Sequence, residues 1–370
     1  MKIGFDAKRA FLNASGLGNY SRNTLKALQN YFPKNKYVLF TPEINKDLFP
    51  NHENFDIISP DSSISKLFKS LWRSFSVKGQ LSKQELDIFH GLSNELPEGI
   101  HESKVPAVVT IHDLIFMRFP QFYKAIDRKI YSRKVKYACT SAKKIIAISS
   151  QTKEDIVEYL KIDPEKIEVI FQSISTKYFE TSNTDELVEK YNLPEKFILA
   201  VGSIEKRKNQ LSLLKAIHKA KIKTPVVFVG KPTLYATSLV QFISDNKLDK
   251  QVRFLNNIKK TDLAGLYKRA SLSVYISKFE GFGLPVIESM ASGCPVITSN
   301  VSCLPETAGD AAVLCDPENI DEIGEKVKLL LENDSVRNEI IAKGTERAKL
   351  FHPKIYSQNL ISLYSEILSE

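Results

Sequence analysis

The chain reads as an α/β protein built of two Rossmann-like lobes, and three observations carry that reading. Short apolar runs alternate with helical or loop stretches along most of its length, the pattern of a parallel sheet flanked by helices. At 370 residues it exceeds one comfortable hydrophobic core. From about Phe171 to Pro194 it turns polar, with Thr181 to Asp185 all Thr, Ser, Asn or Asp, as a connection between lobes should.

The first lobe is assigned to 1–172. Lys2 to Ala7 reads as a buried strand and Ser21 to Leu28 as the first helix, joined by a loop containing Gly16-Leu-Gly-Asn-Tyr20. A dinucleotide fingerprint needs a third glycine where Ser21 stands, so a Rossmann oxidoreductase is disfavoured. Further strands are expected at Tyr37–Phe40, Phe55–Ile58, Asp87–His90, Ala107–Ile111, Lys144–Ile148 and Ile167–Phe171. Ligands of open α/β sheets bind beyond the carboxyl ends of the strands. Of the six histidines, His90 and His112 are therefore best placed, with His90 expected to shape a pocket or pack beneath it.

The second lobe, 190–353, repeats the alternation with strands at Phe197–Val201, Val226–Val229, Val252–Leu255, Leu272–Ile276, Pro295–Thr298 and Ala312–Leu314. Gly202-Ser-Ile-Glu-Lys-Arg-Lys208 follows the first of these. A cation run is often only a solvated face. Here it lies between a strand and a helix, where side-chain cations and helix N–H groups converge, and diphosphate binding is the better reading.

The stretch from Val274 to Asn300 is strand, glycine loop, helix (Val286 to Ser292) and strand. Gly281 and Gly283 admit conformations closed to other residues, and Pro285 suits a first helical turn. Unpaired N–H groups at such a helix start suit sugar hydroxyls or phosphate oxygens. Glu280 and Glu288 flank it, and ionised carboxylates only accept hydrogen bonds, which suits capture of vicinal hydroxyls. Alternatively, Glu288 merely complements the helix dipole. The last segment, Lys354 to Glu370, carries Ile355, Leu360, Leu363, Tyr364 and Leu368 at helical spacing.

An apolar fraction of 43% and a charged fraction of 26% are ordinary for a soluble globular chain. Cys139, Cys294, Cys303 and Cys315 show neither metal-ligand nor redox spacing, which fits buried thiols in a reducing compartment. With no secretory apolar region and no run of membrane-spanning length, a cytoplasmic location is expected. The net charge of +9 is concentrated in residues 1–150, and an anionic partner is expected there. A nucleic-acid reader would need aromatics clustered with Lys and Arg, or a known reading motif, and neither is present. Contact with an anionic membrane is expected instead, through Lys66–Phe75, where an apolar stripe includes Trp72, or through the basic stretch Tyr123–Lys144.

Glu280-Gly-Phe-Gly-Leu-Pro with Glu288, then Ala291-Ser-Gly-Cys-Pro-Val-Ile and Leu304-Pro-Glu-Thr-Ala-Gly, resembles the donor-site signature of family-4 retaining glycosyltransferases of the GT-B fold, of the bacterial surface-polysaccharide type. The resemblance implies two lobes with an interlobe cleft, the amino-terminal one on the acceptor side. It implies that Glu280 and the backbone of Gly281, Phe282, Gly283 and Leu284 hold the transferred sugar and that Glu288 holds the ribose. Thr110-Ile-His-Asp-Leu resembles the segment whose histidine, here His112, contacts that sugar. Gly16 and Gly18 would lie near the donor phosphates, a plain tight turn being the alternative.

The family commonly has Arg where this chain has Ser203, so Lys208 first and Arg207 second are expected on the diphosphate. Glu280, His112 and Lys208 would be the catalytic residues, and the terminal helix, 354–370, would return to the first lobe. No cofactor or metal is implied. The implied reaction moves a hexose from a nucleotide-diphosphate sugar, GDP-mannose before a UDP-sugar, to a glycan or lipid-linked acceptor with retention. A non-catalytic nucleotide-sugar-binding subunit is the alternative, although such a chain would be expected to lose Glu280, Lys208 or His112.

Overall fold

The computed structural model describes residues 1–50, 52–60, 77–81, 83–180, 184–256, 258–259 and 261–370. The stretch Lys66–Phe75 and the polar residues Thr181, Ser182 and Asn183 lie outside them. The chain forms two compact units, Met1–Ser173 with Pro353–Glu370, and Ile174–His352. The second unit thus begins well before 190. Tyr178 packs edge-on against Tyr267 at 6.2 Å and Leu187 lies against Gly265, which ties the connecting segment to this unit.

The first unit is a seven-stranded sheet in the order β3-β2-β1-β4-β5-β6-β7. Its strands are β1 Lys2–Asp6, β2 Lys36–Phe40, β3 Asp56–Ile58, β4 Ile88–Gly91, β5 Ala107–Ile111, β6 Lys144–Ala147 and β7 Ile167–Val169. All pairings are parallel. Alternate residues feed opposite cores, which is why these strands read as continuous apolar runs. Val109, Ile111 and Ile145 join one buried cluster, while Ile3, Phe5, Val108 and Ile146 join the other.

The second cluster also receives the terminal helix Pro353–Ser369 through Tyr356, Leu360, Leu363, Tyr364 and Ile367. Ile355 and Leu368, expected in that stripe, are 40% and 41% exposed. At 3.6 residues per turn, Ile355 falls opposite the buried row and Leu368 at its flank.

The segment Gly16–Tyr20 is not a loop. A helix runs from Gly16 to Tyr31, preceded by a short helix Lys8–Leu12. Arg22 explains the tight junction, because its guanidinium donates to the carbonyls of Ala10 (2.7 Å) and Asn13 (2.9 Å), oxygens that a helix end would otherwise leave unsatisfied. Gly18 faces the same turn, and a Cβ there would stand 1.8 Å from the Asn13 carbonyl oxygen.

The second unit has six parallel strands in the order β10-β9-β8-β11-β12-β13. These are β8 Ile198–Val201, β9 Val226–Val229, β10 Val252–Leu255, β11 Leu272–Tyr275, β12 Val296–Ser299 and β13 Val313–Cys315. Both sheets are doubly wound. The direction of winding reverses between β1 and β4 in the first and between β8 and β11 in the second, and each reversal opens a crevice at the strand carboxyl ends. All four cysteines are buried and unbonded. Among the described residues no helix is long and apolar enough to cross a membrane.

Candidate active site

The reversal between β8 and β11 brings two sequence motifs together. β8 leads into Gly202, at φ 143°, and the chain turns through Ile204 into a short 3-10 turn, Lys206–Lys208. A second glycine permits this turn, since a Cβ on Gly230 would lie 1.9 Å from the Gly202 carbonyl oxygen. Ser203 enters through its backbone, its carbonyl accepting from the Gln210 side-chain amide at 2.8 Å. β11 ends at Tyr275 and leads through Ser277 to Glu280.

Lys208 and Arg207 converge on Glu280, whereas Lys206, the third cation of the run, is exposed. The Lys208 ammonium lies 2.6 Å and the Arg207 guanidinium 2.8 Å from Glu280 Oε1, and the Ser277 hydroxyl donates to the same oxygen at 2.5 Å. Arg207 also donates to the Phe279 carbonyl (2.6 Å) and to Glu205 (2.8 Å), and Lys208 to the Tyr275 hydroxyl (2.6 Å). Burial alone would raise the Glu280 pKa. The charges of Lys208 and Arg207, with hydrogen bonds from Lys208 and Ser277, outweigh it and bring the carboxyl to about 2. The site is therefore a buried carboxylate clamped by two cations.

Past Glu280 the loop is held from beneath. Ser302 donates to the Glu280 carbonyl (2.8 Å) and accepts from its N–H (3.3 Å), and Thr307 donates to the Phe282 carbonyl (2.6 Å). Gly283, at φ 103°, opens the helix Leu284–Ala291 with Pro285 in its first turn. A Cβ on Gly283 would meet Leu304 Cδ2 at 2.6 Å, so backbone conformation and packing both require glycine. Gly281 and Phe282 make further contacts of their own.

Glu288, on the next turn of that helix, accepts from the Tyr267 hydroxyl at 3.3 Å and also faces Tyr178. Burial dominates here and no cation offsets it, so its pKa rises to about 7 despite both tyrosines. The folded-state value lies above the ordinary carboxyl value of 4.5, so the native state holds the proton more tightly than the unfolded chain. Stability from this group therefore falls as pH rises from 4.5 through about 7, by at most about 3 kcal/mol. Glu288→Gln, which cannot ionise, is expected to melt higher than the parent at pH 8, with most of that gap gone at pH 5; a pH-independent gap would refute this account.

In the first unit His112 follows β5 and is 5% exposed. Its Nε2 lies 2.9 Å from the Leu92 carbonyl oxygen and must carry the proton, which makes Nδ1 of the neutral ring an acceptor. Burial lowers its pKa to about 4, and Tyr20 packs edge-on at 4.5 Å. His90 packs beneath, bonded to Tyr364 (2.6 Å) and Thr110 (2.8 Å). Gly16 faces open space, while Gly18 has the packing reason already given.

Of the predicted residues, Ser203, Arg207, Lys208, Gly281, Phe282, Gly283, Leu284, Glu280 and Glu288 fall in the second unit and Gly16, Gly18 and His112 in the first. Sequence reading missed Tyr178, Tyr267, Tyr275 and Ser277. Ser277 and Tyr275, three and five residues before Glu280, lay beside the motif, whereas Tyr178 and Tyr267 arrive from other segments. Among the described residues no three His, Cys, Asp or Glu side chains are grouped to hold a metal.

Comparison with known proteins bears on the family and the fold. The sequence model for glycosyl transferases group 1 matches residues 183–347, and that for glycosyltransferase family 4 matches residues 14–178. The chain is 29% identical over 284 residues, 75% of its length and 74% of the other's, to O-antigen chain mannosyltransferase B of Escherichia coli. It is 31% identical over 212 residues, 57% of each chain, to O-antigen chain mannosyltransferase RfbU of Salmonella typhimurium. In fold it is similar to a glycosyltransferase from Rickettsia africae ESF-5, with a TM-score of 0.78 at 19% identity over 99% of this chain and 98% of that one. With both motifs of the second unit assembled around Glu280 and the two sequence models together spanning nearly the whole chain, this protein belongs to the family-4 glycosyltransferases of the GT-B fold.

Proposed function

We propose that this glycosyltransferase moves a hexose from a nucleotide-diphosphate sugar to a glycan or lipid-linked acceptor with retention of anomeric configuration, at the cytoplasmic face of the membrane and in the assembly of a cell-surface polysaccharide. The observation that carries the reading is the convergence of Lys208 and Arg207 on Glu280 at the point where the second sheet reverses. GDP-mannose is the preferred donor, before a UDP-sugar, a choice supported by relatives named as O-antigen mannosyltransferases.

In the reaction, the acceptor oxygen bonds to the anomeric carbon while the bond from that carbon to the diphosphate oxygen breaks, its electron pair leaving with the diphosphate. The acceptor's proton passes to a donor phosphate oxygen. Negative charge grows on the leaving diphosphate, and Lys208 and Arg207 are the groups that stabilise it. Glu280, held ionised by those cations, orients the sugar by accepting from its hydroxyls. A carboxylate stabilised this strongly is a poor nucleophile, which supports the positioning role. His112 accepts a hydrogen bond from the transferred sugar through Nδ1, and Glu288 receives the ribose hydroxyls. Donor chemistry then needs no metal.

Thermal-shift measurement against a panel of nucleotide sugars tests the donor. GDP-mannose at about a hundred times its dissociation constant is expected to stabilise the protein by about 2.7 kcal/mol. A larger shift with a UDP-sugar would reassign the donor, and no shift with any member would refute the reading. Glu288→Ala is expected to weaken binding of the free nucleoside diphosphate by about 1–3 kcal/mol with the fold intact, and unchanged affinity would remove the ribose role.

A further inference from the structure

We infer that the outer face of the helix Ala125–Ser141, together with Phe122 just before it, docks on an anionic lipid bilayer. A helix on the surface of a globular unit normally turns its apolar side inward. This one does so in its second half, where Val135, Ala138 and Cys139 are buried. Its first half does the reverse, with Ile126 68% exposed and Ile130 46%, beside Phe122 at 47%. Ile126 and Ile130 are four residues apart and so lie on one face. Isolated exposed apolar residues are common, but an aligned group of large ones marks an interaction surface.

The cations around that row point to the partner. The helix and its flanks carry Lys124, Arg128, Lys129, Arg133, Lys134, Lys136, Lys143 and Lys144, with Asp127 as the single acid. Packing neighbours engage three of them: Glu95 pairs with Lys134 (3.2 Å), Glu370 with Lys143 (2.7 Å) and Glu366 with Lys144 (3.5 Å). Arg128 is half-buried. Lys124, Lys129, Arg133 and Lys136 remain exposed, with no ion pair among the described residues, and Lys129 and Arg133 flank the isoleucine row. Exposed isoleucines amid unpaired cations suit the interface of a bilayer, where apolar side chains enter the acyl boundary and cations meet lipid phosphates. A nucleic-acid backbone would use the cations and leave the isoleucines in water.

Behind the docked face, Tyr123, Tyr131, Lys134 and Val135 line a cavity of about 310 Å³ that also reaches Asp113 and Ser93. The Ser93 hydroxyl is buried without a hydrogen-bond partner among the described residues. A cavity of mixed polar and apolar lining thus adjoins the membrane-facing surface, an arrangement suited to a lipid-linked acceptor. For that purpose the inference rests on the function proposed above, whereas the docking itself is measurable without any sugar transfer.

The test is cosedimentation of the full chain with vesicles of phosphatidylglycerol and phosphatidylcholine, and with phosphatidylcholine alone, at low and high salt. The protein is expected to bind the anionic vesicles, to be released by salt, and to leave the neutral vesicles largely free. Two variants are compared: Ile126→Ser with Ile130→Ser, and Lys124→Ser with Lys129→Ser, Arg133→Ser and Lys136→Ser. Each is expected to lower partitioning roughly tenfold or more, because inserted methylenes and surface cations both contribute strongly. Unchanged melting temperatures, expected at exposed positions, separate lost docking from lost folding.

Absence of binding, equal binding to neutral vesicles, or either variant binding like the parent would overturn the inference. Binding to a single-stranded RNA without binding to vesicles would overturn it in favour of a nucleic acid. Vesicle binding without a nucleotide-sugar thermal shift would sink the enzymatic reading and leave the docking standing, and the converse result would do the reverse.

Discussion

Replacing Lys208 with alanine is expected to lower kcat by about 10²–10³-fold while the donor KM changes only a few-fold, the size of effect seen when one donor to a developing negative charge is removed from a buried site. Lys208 is 13% exposed and already directed at an oxyanion, Glu280 Oε1 at 2.6 Å, so its ammonium needs little reorganisation to serve a phosphate oxygen nearby. Arg207→Ala is expected to reduce kcat less and stability more, since its guanidinium also holds the Phe279 carbonyl and Glu205. Steady-state kinetics of both variants, with melting temperatures alongside, separate the roles. A Lys208 variant that raises KM with kcat intact would show that this residue binds ground state and transition state alike.

Glu280→Gln is expected to abolish most activity and to destabilise the ligand-free protein by about 3–5 kcal/mol, because it leaves Lys208 buried without its counter-charge and Arg207 with Glu205 alone. The pH dependence has a definite sign. Glu280 titrates in the folded state at about 2, below its ordinary 4.5, so its contribution is present in full above 4.5 and is lost as pH falls through about 2. The melting-temperature gap between parent and variant should therefore narrow on acidification. A free nucleoside diphosphate should stabilise the variant more than the parent, since its phosphates supply the charge that the two cations have lost. Equal thermal shifts would mean that the diphosphate binds elsewhere.

The strands of both sheets were legible because strands of a parallel sheet are buried on both faces and stand out as short apolar runs. Val226–Val229, Val252–Leu255 and Ala107–Ile111 lie as read, and the rest differ only at their ends. The helix over Gly16–Tyr20 was not legible. Two glycines within three residues signal a turn locally, and what makes the segment helical is Arg22 reaching back to Ala10 and Asn13. The terminal helix was found as an element with its buried row misjudged, because spacing alone admits several stripes and only the surface it meets selects Tyr356 and Ile367 over Ile355 and Leu368.

By itself the sequence determined the two lobes, their strands and the motif pair around Glu280 and Lys208, since each is encoded in residues adjacent along the chain. The tertiary structure decided the charge states. Glu280 and Glu288 are the same residue type eight positions apart, yet one carboxyl is brought down to about 2 and the other raised to about 7. Burial acts on both, and the difference lies in partners delivered by the fold: two cations from the loop after β8 for Glu280, and two tyrosines from distant segments for Glu288. Coulomb energy depends on distance in space, which local sequence does not record.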